Sequence, residues 1–137
     1  LMPTIEEILE DKELKKLSKK FKTQNILSVR VGIEDILGSF GIVRKCKKTY
    51  FENLIMDSFL SKIFFYFKKE FNVSAPVFPY FENEKMLKKE LKIETELQIF
   101  NKTIIHPNQA KTINQFYKVS QKEFEIAFLM MKKKDAI

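Results

Sequence analysis

Two periodicities alternate along the chain. Short apolar or β-branched runs fall at residues 1–6 (Leu-Met-Pro-Thr-Ile-Glu), 26–31, 73–78 and 102–105. Between them, apolar residues recur every three to four positions, which is the spacing of an amphipathic helix. Leu14, Leu17 and Phe21 share one face of a helix predicted over 12–22. A longer helical pattern covers 49–71, firmest from Leu54, with Leu54, Ile55, Phe59, Leu60, Ile63, Phe64, Phe67 and Phe71 as its apolar set. Phe65 falls in the polar stripe of Ser58, Ser61, Lys62, Lys68 and Lys69. It reads as a lone exposed aromatic or as a contact with a subunit or a missing part of the fold. Residues 83–100 place Met86, Leu87, Leu91, Ile93, Leu97 and Phe100 inward. The same segment sets Lys85, Lys88, Lys89 and Lys92 among Glu84, Glu90 and Glu94, which reads as a solvated face. Pro107 suits the first turn of a helix beginning near Asn108. Ser120-x-x-Glu123 is a capping box that opens a last helix over 121–133.

The order is therefore β-α four times over, with helices long enough to be crossovers. Such alternation predicts a parallel sheet in one domain spanning 1–137. Four βα units are half of a TIM (β/α)8 barrel, and in barrels and open parallel sheets alike the sites form at the C-terminal strand ends. Those ends are Glu6, the run Gly32, Ile33, Glu34, Asp35, the pair Ala75 and Pro76, and His106. The first strand starts at Leu1 with no initiator Met and no lead-in, so the chain is expected to be cut from something longer.

The second strand end stands out. The three glycines, Gly32, Gly38 and Gly41, all fall between Ser28 and Gly41, where backbone must turn or lie close to another group. Glu6 and Asp35 end consecutive strands. If those strands are neighbours, the two residues lie ~4.8 Å apart and can share a hard cation. Magnesium takes one or two carboxylates and completes its shell with water and substrate oxygens. The alternative is that both carboxylates serve as anions at helix N-termini. His106, the single histidine, is either a hydrogen-bonded structural residue or a catalyst. With one histidine and one cysteine, zinc is not expected. Cys46 has no candidate base nearby, and neither a phosphate-cradling loop nor a Gly-x-Gly-x-x-Gly is present.

The net charge of +7 invites a nucleic-acid partner. Of the 25 basic residues, however, only Arg30 and Arg44 are arginine, the residue that bidentate phosphate and guanine contacts favour. No nucleic acid is expected, and Arg44 to Lys48 reads as a basic connector. No apolar run approaches the ~20 residues of a membrane span, so no membrane partner is expected either. A lone cysteine fits a reducing compartment, and the cytoplasm is the expected location.

The last strand brings a resemblance. Lys102-Thr103-Ile104-Ile105-His106-Pro107-Asn108-Gln109, then Ile113-Asn114, then Val119-Ser120-x-x-Glu123, resembles the C-terminal signature of the citrate lyase β-subunit family, within the HpcH/HpaI aldolase superfamily. Gly32-Ile33-Glu34-Asp35-Ile36 with the later Gly41 is similar to the family's Gly-x-Glu-Asp-Leu, and Met2-Pro3-Thr4-Ile5-Glu6 to its Met-x-x-(Ile/Leu)-Glu strand. Ser74-Ala75-Pro76-Val77-Phe78 resembles the branch found in tellurite-resistance and stress operons. Asn101 stands where that family has glycine. The resemblance implies the last four βα units of a TIM barrel. It implies a Mg2+-dependent C–C bond lyase or aldolase acting on a carboxylate or acyl-CoA substrate through a metal-stabilised enolate. It makes Glu6 and Asp35 the metal ligands, and it implies a catalytic arginine upstream of residue 1. The substrate is expected at the strand-end residues Gly32, Ile33, Glu34, Ala75, Pro76 and His106, and a homo-oligomer is expected. The competing expectation is a non-catalytic half-barrel that closes against itself or a partner chain.

Overall fold

A computed structural model describes residues 1–134. Its elements are β1 (Thr4–Ile5), α1 (Asp11–Phe21), β2 (Ser28–Val31), α2 (Ile33–Ser39), a 3-10 turn (Tyr50–Glu52), α3 (Leu54–Ile63), a π-helical turn (Phe64–Lys68), β3 (Asn72–Ser74), α4 (Glu84–Glu96), α5 (Pro107–Phe116) and α6 (Gln121–Lys134). The strands form a parallel sheet in the order β1-β2-β3. Thr4 pairs with Arg30 and Ile5 with Val31, while Ser28, Val29 and Arg30 pair with Asn72, Val73 and Ser74. A parallel sheet of consecutive βα units is the partial barrel that the alternating pattern predicts.

One face of the sheet is sealed by helices. Val29, Val31, Ile5 and Val73 point into a core with Leu14, Phe21, Ile33, Ile36, Leu37, Met56, Phe59, Leu60, Ile63 and Phe67. Strand side chains alternate, so Thr4, Ser28, Arg30 and Ser74 lie on the other face, which is the lumen side of a barrel. A second cluster of Phe78, Leu87, Leu91 and Ile113 joins α4 to α5. No described helix is long and apolar enough to cross a membrane.

Three expectations are revised. The helical pattern over 49–71 is broken in two places. Thr49 and Glu52 form a capping box around the 3-10 turn, and Asn53 then caps α3 by accepting from the Ile55 and Met56 amides. Leu54, the first apolar residue of that pattern, is consequently 89% exposed. The predicted fourth strand is reduced, among the described residues, to one parallel bridge between Ala75 and Lys102. Lys102 buries its ammonium against Glu94 of α4, while Ile104 and Ile105 stay exposed. The solvated face assigned to α4 is correct for its lysines but wrong for Glu90 and Glu94, which are fully buried. α4 in fact turns Leu87, Glu90, Leu91 and Glu94 inward, and Leu97 and Phe100 are exposed. Phe65 is exposed, as its position in the polar stripe predicts.

Candidate functional site

β1 and β2 end side by side. The Gly32 amide donates to the Ile5 carbonyl at 2.8 Å, so the residue after Ile5, Glu6, stands opposite Gly32. α2 begins immediately after Gly32, and Asp35 lies in its first turn. The two side chains meet over the glycine. A Cβ built on Gly32 would lie 2.7 Å from Cγ of Glu6 and 3.1 Å from Oδ2 of Asp35. Gly32 has φ −83°, which any residue can adopt, so glycine is needed there for space and not for backbone conformation. Gly41 is different, with φ +67°. It closes α2 as the left-handed residue of a Schellman motif, in which the Ile42 amide donates to Leu37 and the Gly41 amide to Gly38, both at 2.9 Å.

Neither carboxylate has a partner among the described residues. Glu6 and Asp35 accept no hydrogen bond and enter no ion pair, whereas their neighbour Glu34 is held by Arg44 at 3.0 Å. Capping bonds to the α2 amides, which a purely structural role would favour, are not made: Gly32 is the N-cap residue and no side chain caps it. Two adjacent, unpartnered carboxylates in a glycine cradle suit a hard cation that takes one or two protein carboxylates. No group of three or more histidine, cysteine, aspartate or glutamate residues assembles among the described residues.

The other strand-end residues occupy different surroundings. Ile33 is buried in the helix-side core, so only its backbone faces the strand ends. Ala75 and Pro76 are buried, and the Ala75 amide donates to the Asn101 carbonyl at 2.7 Å. His106 caps α5, its Nδ1 accepting from the Asn108 amide at 3.3 Å. Its ring stacks on Phe81 with centroids 4.3 Å apart and planes 12° from parallel. Arg30 projects from the lumen face in register with Thr4 and Ser74. Among the described residues its side chain makes no hydrogen bond or ion pair.

A buried ionic hub, which the sequence pattern does not reveal, adjoins this site. Glu90 and Glu94 are both fully buried on α4. Arg44 hydrogen-bonds Glu90 through Nη2 and donates through Nη1 to the Val77 carbonyl at 2.9 Å and to Glu34 at 3.0 Å. Its guanidinium lies 5.4 Å from the Tyr50 ring centroid and 5.5 Å from that of Phe78. Lys102 donates to Glu94 at 2.5 Å, Tyr50 Oη donates to Glu94 at 3.1 Å, and the Tyr50 amide donates to Glu90 at 3.2 Å. Burial pushes the Glu94 carboxyl above its usual range, against the pull of Lys102. Burial also drives the Tyr50 phenol upward, reinforced by Glu94 and Glu90. Arg44 is held even more firmly charged than usual. Burial opposes its charge, but Glu90 and Glu34 outweigh that opposition.

With the geometry in place, the class of protein is defined by a partial parallel barrel with acidic residues at its strand ends. The chain belongs to the C–C bond lyase family of the TIM-barrel fold, whose model matches residues 1–137. Among solved structures it is similar to RipC from Yersinia pestis, with a TM-score of 0.70 and 18% identity. That match covers 90% of this chain and 54% of the RipC chain, so the chain spans about half the length of the protein it resembles. At that identity the likeness shows the fold. No curated protein matches the chain.

Proposed function

We propose that this chain is part of a Mg2+-dependent C–C bond lyase of the citrate lyase β type, close to the tellurite-resistance branch. Its substrate is a carboxylate, free or as an acyl-CoA thioester. The observation that carries this reading is the convergence of the unpartnered Glu6 and Asp35 side chains over Gly32 at the ends of neighbouring parallel strands. These two carboxylates would hold the ion, with Gly32 keeping the space between them clear. When bound, Mg2+ supplies the positive charge that steadies negative charge developing on a substrate oxygen as the C–C bond breaks. Arg30, two residue pairs below the Glu6–Gly32 level on the lumen face, offers a guanidinium without a partner among the described residues to a substrate carboxylate, for which its planar fork is well shaped. His106 stacks on Phe81 and, among the described residues, makes no hydrogen bond through Nε2.

The test is to incubate the full-length protein and Mg2+ with β-hydroxy carboxylates, both free and as CoA thioesters. Mass spectrometry then follows the appearance of two carbon fragments. Cleavage that disappears in Asp35→Asn supports the reading. A protein that binds Mg2+ but cleaves none of the panel overturns it. A second reading, a non-catalytic half-barrel that assembles with another chain, draws on α6, where Phe124, Ile126, Phe128, Leu129, Met130 and Met131 are all exposed. Sedimentation that shows a stable 16.3 kDa monomer contradicts that reading.

A further inference from the structure

Arg44 contacts two consecutive βα units directly and is linked to a third through Glu90. Through Nη1 it holds Glu34, in the first turn of α2 and adjacent in sequence to Asp35. The same nitrogen holds the Val77 carbonyl, in the segment that follows β3. Through Nη2 it holds Glu90 on α4, and Glu90 in turn lies 3.7 Å from Lys102, at the start of the fourth βα unit. The backbone around Arg44 is laced to the same segment. Tyr80 Oη donates to the Arg44 carbonyl, and Asn83 Nδ2 donates to the Cys46 carbonyl at 2.9 Å. The guanidinium side chain is only 4% exposed and sits between the rings of Tyr50 and Phe78. Desolvating an arginine this completely is unfavourable unless its donors are matched; here Nη1 and Nη2 meet three acceptors from two units, while Nε has no partner among the described residues.

We infer that Arg44 is a positioning residue for the metal centre. It orients the first turn of α2, and with it Asp35, relative to the segment 75–78. This rests on the reading of Glu6 and Asp35 as metal ligands. A lysine retains the charge but cannot reach Glu34, Val77 and Glu90 together, because the guanidinium fork supplies donors in fixed directions. The sign of the effect separates positioning from simple charge. If Arg44 acted only through space, removing its positive charge would strengthen binding of a cation nearby. If it positions Asp35, removing it weakens binding, because the ligand carboxylate loses its fixed orientation.

Isothermal titration of Mg2+ into the full-length protein tests this, with circular dichroism melting on each sample. Two variants are needed. Arg44→Lys keeps the charge. The double variant Arg44→Met/Glu90→Gln removes both members of the buried pair, so neither charge is stranded. Both are expected to melt cooperatively and to bind Mg2+ about tenfold more weakly, the low end for partners that orient a metal ligand. Unchanged or tighter binding in the double variant, while Asp35→Asn abolishes binding, overturns the positioning role and leaves the metal site standing. Wild-type protein that takes up no Mg2+ overturns both.

Discussion

Replacing Gly32 with alanine separates the site from the fold. The added methyl would sit 2.7 Å from Cγ of Glu6 and 3.1 Å from Oδ2 of Asp35. Ordinary carbon contacts begin near ~3.5 Å, so Glu6 must retreat by about 1 Å and Asp35 by a few tenths. Both residues are exposed, and the backbone angles at Gly32 suit alanine. The side chains can therefore swing away at little cost, and stability should change by less than about 1 kcal/mol. The carboxylates, however, no longer converge. Loss of one ligand from a two-carboxylate site should weaken Mg2+ binding at least ~10-fold, or about 1.4 kcal/mol. Gly38→Ala is the matched control. Gly38 lies within α2, and a methyl added there would meet nothing within 4 Å, so this variant should gain about 0.5–1 kcal/mol with no effect on the metal. Calorimetric titration and thermal melting of both variants decide the matter. Gly32→Ala protein that binds Mg2+ like the wild type would refute the reasoning.

Other outcomes follow from the hub and the caps. Glu90→Ala leaves Arg44 buried beside Glu34 alone and should cost about 3–5 kcal/mol in urea denaturation; a loss below about 1 kcal/mol would show that the pair is solvated. Arg30→Met should raise KM for a carboxylate substrate while leaving Mg2+ affinity within about twofold, and equal KM values would remove Arg30 from the site. The Glu94 carboxyl is raised in the folded protein, so its contribution to stability is full below the unfolded value near 4.5 and is lost as the pH rises through the folded value. Carbon-detected NMR should find Glu94 titrating above the ordinary glutamate range. Glu52 behaves oppositely. The Thr49 amide, then Lys89 and the Thr49 hydroxyl, hold it down to about 2, so its contribution is present above about 4.5 and fades as the pH falls toward about 2. In Glu52→Gln the melting temperature should fall less between about pH 5 and about pH 2.5 than in the wild type.

Much of the fold is legible in the sequence because strand and helix periods differ so clearly in this chain. The helix predicted over 12–22 is α1 nearly residue for residue, and the Pro107 and Ser120 signals mark the starts of α5 and α6. The alternation predicts parallel strands, but that β1 and β2 are neighbours, which brings Glu6 beside Gly32, is seen only in the fold. What the pattern hides is polar burial. Glu90 and Glu94 occupy the same helical stripe as Leu87 and Leu91, at intervals of three and four, so the spacing carries the signal of their burial. Their charge points the other way, because an unpaired buried glutamate is so unfavourable. Their partners, Arg44, Lys102 and Tyr50, are separate from α4 in sequence, and only the tertiary fold brings them together. The same remoteness conceals Arg44, which taken locally is one more residue in a basic connector.

The most direct measurement is the uptake of Mg2+ by the full-length protein compared with its Asp35→Asn variant, by isothermal titration calorimetry. Saturable binding in the wild type that is lost in Asp35→Asn, with both proteins melting alike, is the expected result. Equal binding in the two proteins would contradict the assignment of Glu6 and Asp35 as the metal site.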